Sequence, residues 1–361
     1  MNARAIVHPT LNALSPVFLS DTSPRARLAT AMPLLEGTHF AMAAFAAAIR
    51  AATRGHHGGS GLDVRFAARL DGATIAEAQQ FFGAFNPTRR RDLSTWQFAA
   101  LNAARVAEVV AGYATATLDL LDPGGVQRVN IWVFPADHAN AHTMLRLFGV
   151  EAWGDSPGGV AVQLWPSPGN IARLGPVVTR AVALGMRTTF AWPTDRPPTL
   201  ADHLAREGLA TLAVAARFPD LPNPWAAPFT AAPDWDDVLA TIAATAGIAT
   251  YAALPVNVYG VVAPAGDTRL PTPVPPDTDE SAYARAVLAA DLHETDPSRI
   301  AAHLYGDAIV AMNGHPPVGM SPFAGIAAAH ALVSGAMTQQ RIDLPTAARL
   351  PTADLLDGAL G

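Results

Sequence analysis

Carboxylates and imidazoles recur in this sequence directly after apolar runs, and these groups suit acid–base or metal-assisted chemistry. Four runs end in an aromatic residue and a proline, namely Phe134-Pro135, Trp165-Pro166, Trp192-Pro193 and Phe218-Pro219. The polar residues that follow these prolines are Asp137 and His138, Ser167, Thr194 and Asp195, and Asp220. We therefore interpret Asp137, Asp195 and Asp220 as candidate catalytic carboxylates.

The spacing of the four prolines predicts the elements that position these carboxylates. The prolines are 31, 27 and 26 residues apart, which fits a repeat of one strand, one helix and their connections. In parallel α/β proteins the ligand lies beyond the carboxyl ends of the strands, so the candidates would share one mouth. A further strand predicted at Asp307–Met312 would deliver His315 to the same end as a general acid or base.

His138 and His142 are one helical turn apart, the spacing that two imidazoles need to bind one metal ion. Position 139 is Ala, so the HExxH motif of zinc proteases is missing. A third ligand would come from elsewhere, and the candidates are Asp195, His203, His293, Glu294, His303 and His315. The alternative is that both histidines cap and pack their helix.

The aromatic residues before the prolines suggest which substrate such a mouth would bind. Strand alternation places Phe134 with Trp132, and Trp192 with Phe190, on one face of the predicted sheet. Aromatic rings beside carboxylates suit a sugar or another flat, hydroxylated molecule. The alternative is that this aromatic stripe is ordinary hydrophobic core.

Two short motifs do not carry their usual chemistry. Gly154-Asp155-Ser156-Pro157-Gly158 matches G-x-S-x-G, but a predicted strand rather than a helix follows it. The proline after Ser156 would also remove a backbone N–H from an oxyanion hole. We therefore interpret the segment as a turn. No G-x-G-x-x-G follows a predicted strand, so a dinucleotide fingerprint is absent.

The composition excludes several mechanisms. The chain has 361 residues and no Cys, and all 24 of its basic residues are Arg. Fe–S clusters, thiolate zinc sites, cysteine nucleophiles, Schiff bases and pyridoxal phosphate anchored on lysine are therefore impossible. A net charge of −6 and a single dense basic run at Arg89–Arg91 predict no nucleic-acid partner. Without a predicted signal peptide or membrane span, we expect a cytoplasmic protein with no membrane partner.

The alternation of strands and helices predicts the α/β class. We expect parallel βα repeats resembling a TIM barrel, with an open doubly wound sheet as the alternative and a helical N-terminal region. The predicted divisions are a mainly helical region at 1–125, a βα-repeat domain at 126–340 and a C-terminal tail at 341–361. Strands predicted at Ala3–Val7 and Leu62–Leu70 would bring the count near the eight that a closed barrel needs. Further strands are expected near 248–253 and 256–262.

Capping-box spacing predicts where two of the helices begin. Ser94 with Gln97 predicts the start of a long helix over about 95–121, and Thr199 with Asp202 predicts a helix that ends at Gly208.

Two functional hypotheses follow. The first is a hydrolase or lyase that acts on a small polar or carbohydrate-like substrate, with the carboxylates, the histidines and an optional divalent metal at the strand ends. The second is a scaffold or self-assembling subunit without catalysis, suggested by the Ala-rich helices and the repeated Leu-Pro-Thr-Ala phrase of the tail. A homo-oligomer fits either hypothesis.

Overall fold

The structure is a computed structural model that describes residues 4–19, 23, 27, 91–136, 144, 147–154, 158–238, 240, 275–307 and 317–357. The strands of the described residues are β1 (Ala5–Val7), β2 (Val129–Pro135), β3 (Val150–Trp153) and β4 (Gly159–Leu164). The α-helices are α1 (Thr10–Leu19), α2 (Arg91–Ala103), α3 (Val106–Leu121), α4 (Pro168–Ala191), α5 (Leu200–Arg217), α6 (Thr278–Ala290), α7 (Pro297–Tyr305), α8 (Ala324–Gln340), α9 (Leu344–Arg349) and α10 (Thr352–Leu356). A 3-10 helix spans Pro224–Phe229.

The four described strands form one open sheet in the order β1-β2-β4-β3. β1, β2 and β4 run parallel, with Ala5 opposite Val129 and Asn130 opposite Gly159. β3 lies antiparallel at the edge, with Trp153 opposite Ala161. The predicted α/β class is therefore confirmed, as are the strands predicted at the positions of β1, β2 and β4. A closed TIM barrel is not formed by the described strands.

The third and fourth predicted repeat units are wrong, because both apolar runs are the last turns of helices. Trp192 directly follows α4 and Phe218 directly follows α5. A residue before proline is driven out of the helical region of backbone space, so an aromatic–proline pair ends a helix as readily as a strand. Trp192 accordingly adopts an extended backbone with φ −77° and ψ 135°.

Both faces of the sheet are buried. Successive strand residues point to opposite faces, yet every side chain from Ile131 to Ala136 is buried, as is every residue of β4. α3 packs against β1 and β2, while α4 packs against β3 and β4. The resulting core cluster runs from Ala5 to Leu356 and includes residues on both sides of the boundaries predicted at 125/126 and 340/341.

Beyond α4, the helices stack outward in further layers. α5 packs on α4, and α8 packs on α5. A Cβ added to Gly208 of α5 would lie 2.3 Å from the Ala329 carbonyl oxygen of α8, so these two helices approach closely only because residue 208 is glycine. A second hydrophobic cluster joins residues of α5, α6, α7, α8 and the 3-10 helix.

Several predicted boundaries differ from the observed ones. The single helix predicted near 95–121 is two helices, because Arg105 takes a left-handed conformation with φ 50°. α5 begins at the predicted capping box of Thr199 and Asp202 but continues through Gly208, where its end was predicted. The predicted strands at 62–70, 248–253 and 256–262 lie outside the described residues. None of the helices in the described part of the chain combines the length and the apolar composition that crossing a membrane requires.

Candidate functional site

Four of the predicted site residues lie outside the described part of the chain: Asp137, His138, His142 and His315. Ala136, the residue before Asp137, is held by two hydrogen bonds. Its N–H donates to the Leu164 carbonyl at 3.0 Å, and its carbonyl accepts a 2.8 Å hydrogen bond from Gln97 Nε2. Ala136, the residue before Asp137 in the sequence, is therefore held at the carboxyl end of β2.

Asp195 and Asp220 lie elsewhere, because they follow helices rather than strands. α4 and α5 form an antiparallel hairpin, with Arg180 paired to Glu207 near its middle. Asp195 lies in the loop that joins the two helices, while Asp220 follows the far end of α5. The 18 residues of α5 span about 27 Å. The two carboxylates are exposed at opposite ends of the hairpin and do not share a mouth.

The G-x-S-x-G segment joins β3 to β4, which pair antiparallel. Residues 155–157, including Ser156, lie outside the described residues, but the flanking strands are known. A nucleophile elbow leads from a strand into a helix, and here one strand leads into another. The interpretation of this segment as a connection between strands therefore fits the topology.

An exposed tryptophan lies at the carboxyl end of the parallel strands. Trp96 belongs to α2 and is 48% exposed, whereas Trp165, directly after β4, is buried. The two ring centroids are 5.4 Å apart with planes inclined by 44°. Because the neighbouring Gln97 is bonded to Ala136 after β2, the first half of α2 bridges the ends of β2 and β4. Trp96 therefore presents an aromatic face at the edge where α/β proteins bind ligands.

Sequence reasoning missed this arrangement. The spacing of Ser94 and Gln97 predicted a capping box at the start of a helix, but α2 begins earlier, at Arg91, and Gln97 lies inside it. Its amide bonds across to the strand end instead. No local pattern distinguishes these two uses of a glutamine, since the difference lies in a partner 39 residues away.

The amino end of α4 is built directly onto the end of β4. The Ser167 hydroxyl accepts the Asn170 N–H at 3.1 Å and so caps the helix. The Asn170 side chain, fully buried, donates to the Trp165 carbonyl at 3.2 Å. Gly149, with φ +74°, lies so close that an added Cβ would be 2.9 Å from both Asn170 Nδ2 and Trp165 Cβ. A side chain at position 149 would therefore push this corner apart.

Arg173, one turn further along α4, is a cation with no carboxylate partner among the described residues. Its guanidinium donates to the Phe148 carbonyl at 3.3 Å, to Asn170 Oδ1 at 3.1 Å and to the Pro228 carbonyl at 3.4 Å. Burial lowers the pKa of Arg173 to about 10. Among the described residues, the hydrogen-bond partners of this partly buried charge are neutral groups.

His8 is the described histidine that follows a parallel strand, but it packs on the sheet. Its ring stacks on Trp132 with a centroid distance of 4.6 Å and an interplanar angle of 2°. His8 Nε2 lies 3.2 Å from Asn130 Oδ1, which is further back along β2. The imidazole therefore leans away from the carboxyl edge.

A separate set of polar contacts holds the C-terminal helices. Arg187 of α4 is fully buried and donates to the carbonyls of Ala347 and Ala348 at 3.2 Å each and to that of Leu350. Burial lowers the pKa of Arg187 to about 10, against the opposing effect of Asp202. These contacts dock the predicted tail on its own chain.

Asp202 forms part of the same network through Thr352. The Thr352 hydroxyl lies 3.2 Å from Arg187 Nη2 and also bonds the Asp202 carboxylate. Burial acts to raise the pKa of Asp202, but hydrogen bonds from Arg196, Thr199 and Thr352 outweigh it and lower the pKa to about 2. This carboxylate is therefore an ionised structural tie.

Within the residues that the structure describes, no three or more His, Asp or Glu side chains are grouped so that they could hold a metal ion. The histidines predicted as metal ligands, His138 and His142, lie outside these residues. Comparisons of the chain with protein-family models, with curated proteins and with solved structures find no match. The chemistry of the site therefore has to follow from its own side chains.

Proposed function

We propose that the protein is a hydrolase or lyase that binds a small polar or carbohydrate-like substrate at the carboxyl edge of β2 and β4. The observation that carries the proposal is the exposed Trp96 ring beside Trp165, fixed at this edge by the hydrogen bond from Gln97 to Ala136. An exposed aromatic face binds the apolar face of a sugar ring, while nearby polar groups fix its hydroxyls. The corresponding fold would be an open doubly wound sheet, in which ligands bind at the carboxyl ends of the strands.

Asp137 and His138 would supply the chemistry, because they follow Ala136 directly in the sequence. In this proposal the Asp137 carboxylate acts as an acid or base beside the bound substrate, and His315 is the second proton-transfer group. His138 and His142 would bind a divalent metal if the reaction is metal-assisted. Asp195 and Asp220 have no part in the proposed reaction, since they lie at the two ends of the α4–α5 hairpin.

One of the reasons for the alternative hypothesis, a self-assembling scaffold, no longer applies. The repeated Leu-Pro-Thr-Ala phrase was a reason to expect a tail that reaches a neighbouring molecule. The first copy begins the short helix α9 and the second leads into the short helix α10. α9 packs on α3, α4 and α5, and α10 packs on α5 and α8 of the same chain. Light scattering of the purified protein tests the alternative, which predicts large assemblies at high concentration.

The test of the proposed activity is a panel of chromogenic glycosides and esters, assayed with added Mg²⁺, Mn²⁺ or Zn²⁺ and with a chelator. On a substrate that the wild type turns over, Asp137→Asn should lower kcat by about 10²–10⁴-fold, the usual contribution of an acid–base group. Trp96→Ala should raise KM about three- to tenfold through loss of ring contact. Tyr283→Ala is the matched control, since Tyr283 is a similarly exposed aromatic residue on the distant helix α6.

Two results would overturn the proposal. One is a wild-type protein that turns over none of the panel and whose tryptophan fluorescence does not respond to saccharides. The other is an active wild type whose activity survives both Asp137→Asn and Trp96→Ala unchanged.

A further inference from the structure

Helix α4 carries three arginines at seven-residue intervals, Arg173, Arg180 and Arg187, on the part of the helix that faces other elements. Arg180 pairs with Glu207 of α5, with Nη2 and Oε2 2.5 Å apart. Arg187 lies in the field of Asp202, also on α5, and shares the Thr352 hydroxyl with it. Arg173, the first of the series, has no corresponding acid on α5.

A partly buried guanidinium without a counter-charge is uncommon, because a charge taken from water costs free energy unless it is paired. The partners of Arg173 are two backbone carbonyls and one amide oxygen, at 3.1–3.4 Å. Its Nε is buried and has no hydrogen-bond partner. The three described contacts come from Nη1 and Nη2, and the side chain is only partly buried, so its accessible part can donate to an anion, whose planar or tetrahedral oxygens match the guanidinium fork.

A second unused donor lies in the same cluster. Trp235 is 3% exposed, and its indole N–H has no acceptor. Its ring meets Phe148 edge-on at 5.9 Å, and the Arg173 guanidinium lies 5.9 Å from the same ring. Phe148 itself has a left-handed backbone with φ 52°, a strained conformation that is frequent at binding sites.

The amino end of α4 is not itself the anion site, because a carboxylate already lies there. Asp234 Oδ1 would be 2.2 Å from a Cβ added to Gly169 in the first turn of α4. The described contacts of Arg173 include no ion pair with Asp234. Because the Asp234 carboxylate would repel an anion, an added anion would bind on the side of Arg173 away from it.

We propose that Arg173 binds a carboxylate or phosphate group of the substrate, so that the molecule held at the carboxyl edge is a small acidic one, such as a sugar acid or a sugar phosphate. The inference rests on the proposed function for the position of the substrate. Asn170 links the two places, since its side chain bonds both the Trp165 carbonyl, beside Trp96, and Arg173. The acidic group would then complete the series of ion pairs along α4.

The test measures anion binding directly and does not depend on turnover. Inorganic phosphate and succinate are added to the full chain, with sodium chloride at equal ionic strength as the reference, and Tm and heats of binding are recorded. The wild type should be stabilised by phosphate or by succinate beyond chloride, and the stronger of the two identifies the acidic group. Arg173→Gln should weaken that binding about tenfold or more. Arg285→Gln, on the exposed face of α6, is the matched control and should bind as the wild type does.

A chemical measurement on the wild type keeps the test decisive if Arg173→Gln does not fold. Phenylglyoxal modifies accessible arginines, and mass spectrometry reads Arg173 and Arg285 in the same sample. Phosphate or succinate should protect Arg173 and leave Arg285 reactive. The proposal is overturned if neither anion acts beyond chloride, if Arg173→Gln binds like the wild type, or if Arg173 is never protected. Anion binding is measured without turnover, so the anion site and the proposed activity fail independently.

Discussion

Glu207→Gln should strongly destabilise the protein, because it removes one partner of a buried ion pair between α4 and α5. The side chains of Arg180 and Glu207 are 10% and 2% exposed, and their closest atoms are 2.5 Å apart. Glutamine has nearly the volume of glutamate, so the substitution removes a charge with little change in packing. It leaves the Arg180 guanidinium buried without this carboxylate.

Breaking a buried ion pair from one side costs about 3–5 kcal/mol. Unfolding entropy is about 2.1 cal/mol/K per residue, which for the 361 residues of this chain amounts to about 0.8 kcal/mol/K. Glu207→Gln should therefore lower Tm by about 4–7 °C if the chain unfolds in one step. Replacing both partners by Met should restore the wild-type stability or exceed it, because no buried charge then remains unpaired.

The assay is urea unfolding, followed both by circular dichroism and by tryptophan fluorescence so that coincident curves establish two-state behaviour. Glu108→Gln is the matched control, since Glu108 pairs with Arg105 on the surface of α3 with side chains 61% and 75% exposed. We expect no measurable change there, because water and salt screen an exposed pair.

Two outcomes would refute this reasoning. If Glu207→Gln is as mild as Glu108→Gln, the pair contributes little beyond a surface contact. If the variant with Met at both positions is as unstable as Glu207→Gln, the instability of Glu207→Gln does not come from leaving the Arg180 charge unpaired.

Three further predictions concern other ties in the fold. Arg187→Met should release the C-terminal helices, and limited proteolysis should then cut within 341–357. Arg187→Lys should not restore full protection, because a single ammonium can replace Nη1, which contacts the three carbonyls, but not Nη2, which donates to Thr352. The pKa of Asp202 is about 2 in the folded protein and 3.8 for an unperturbed aspartate, so Asp202 stabilises the fold by about 2 kcal/mol above pH 4 and loses this contribution as the pH falls towards 2. The unfolding free energy of Asp202→Asn, plotted against pH, should lack this decrease. Gly208→Ala should destabilise the contact with Ala329, whereas Gly335→Ala, on an open helix face, should stabilise by about 1 kcal/mol in the same urea assay.

The sheet was predictable where both faces of a strand are buried. β2 and β4 are mainly apolar, with Asn130 and Gln163 as the polar exceptions, and such runs are typical of central parallel strands. The capping box of Thr199 and Asp202 likewise specified where α5 begins, because its signal is contained in four neighbouring residues. Contacts between distant residues, such as Gln97 with Ala136 or Trp96 with Trp165, left no such local signal.

The aromatic–proline pairs show why the repeat was misinterpreted. Proline lacks the N–H that a strand or helix needs, and it forces the preceding residue into an extended conformation. Phe134 and Trp165 therefore stand at strand ends, while Trp192 and Phe218 stand at helix ends. Regular spacing of these pairs indicates elements of similar length, but it does not distinguish strands from helices. The carboxylates predicted after the third and fourth pairs were displaced from the sheet for this reason.

The arginines of α4 make contacts that use the shape of the guanidinium group. Arg187 donates through Nη1 to three carbonyls and through Nη2 to a hydroxyl, so it uses two nitrogens of its guanidinium. Arg180 and Arg173 occupy equivalent positions one and two heptads earlier, and Arg173 has no ion-pair partner among the described residues. If that charge served packing alone, an apolar residue would serve as well or better, because an unpaired buried charge is a cost. The anion that we propose to bind at Arg173 would supply the counter-charge that this position lacks among the described residues.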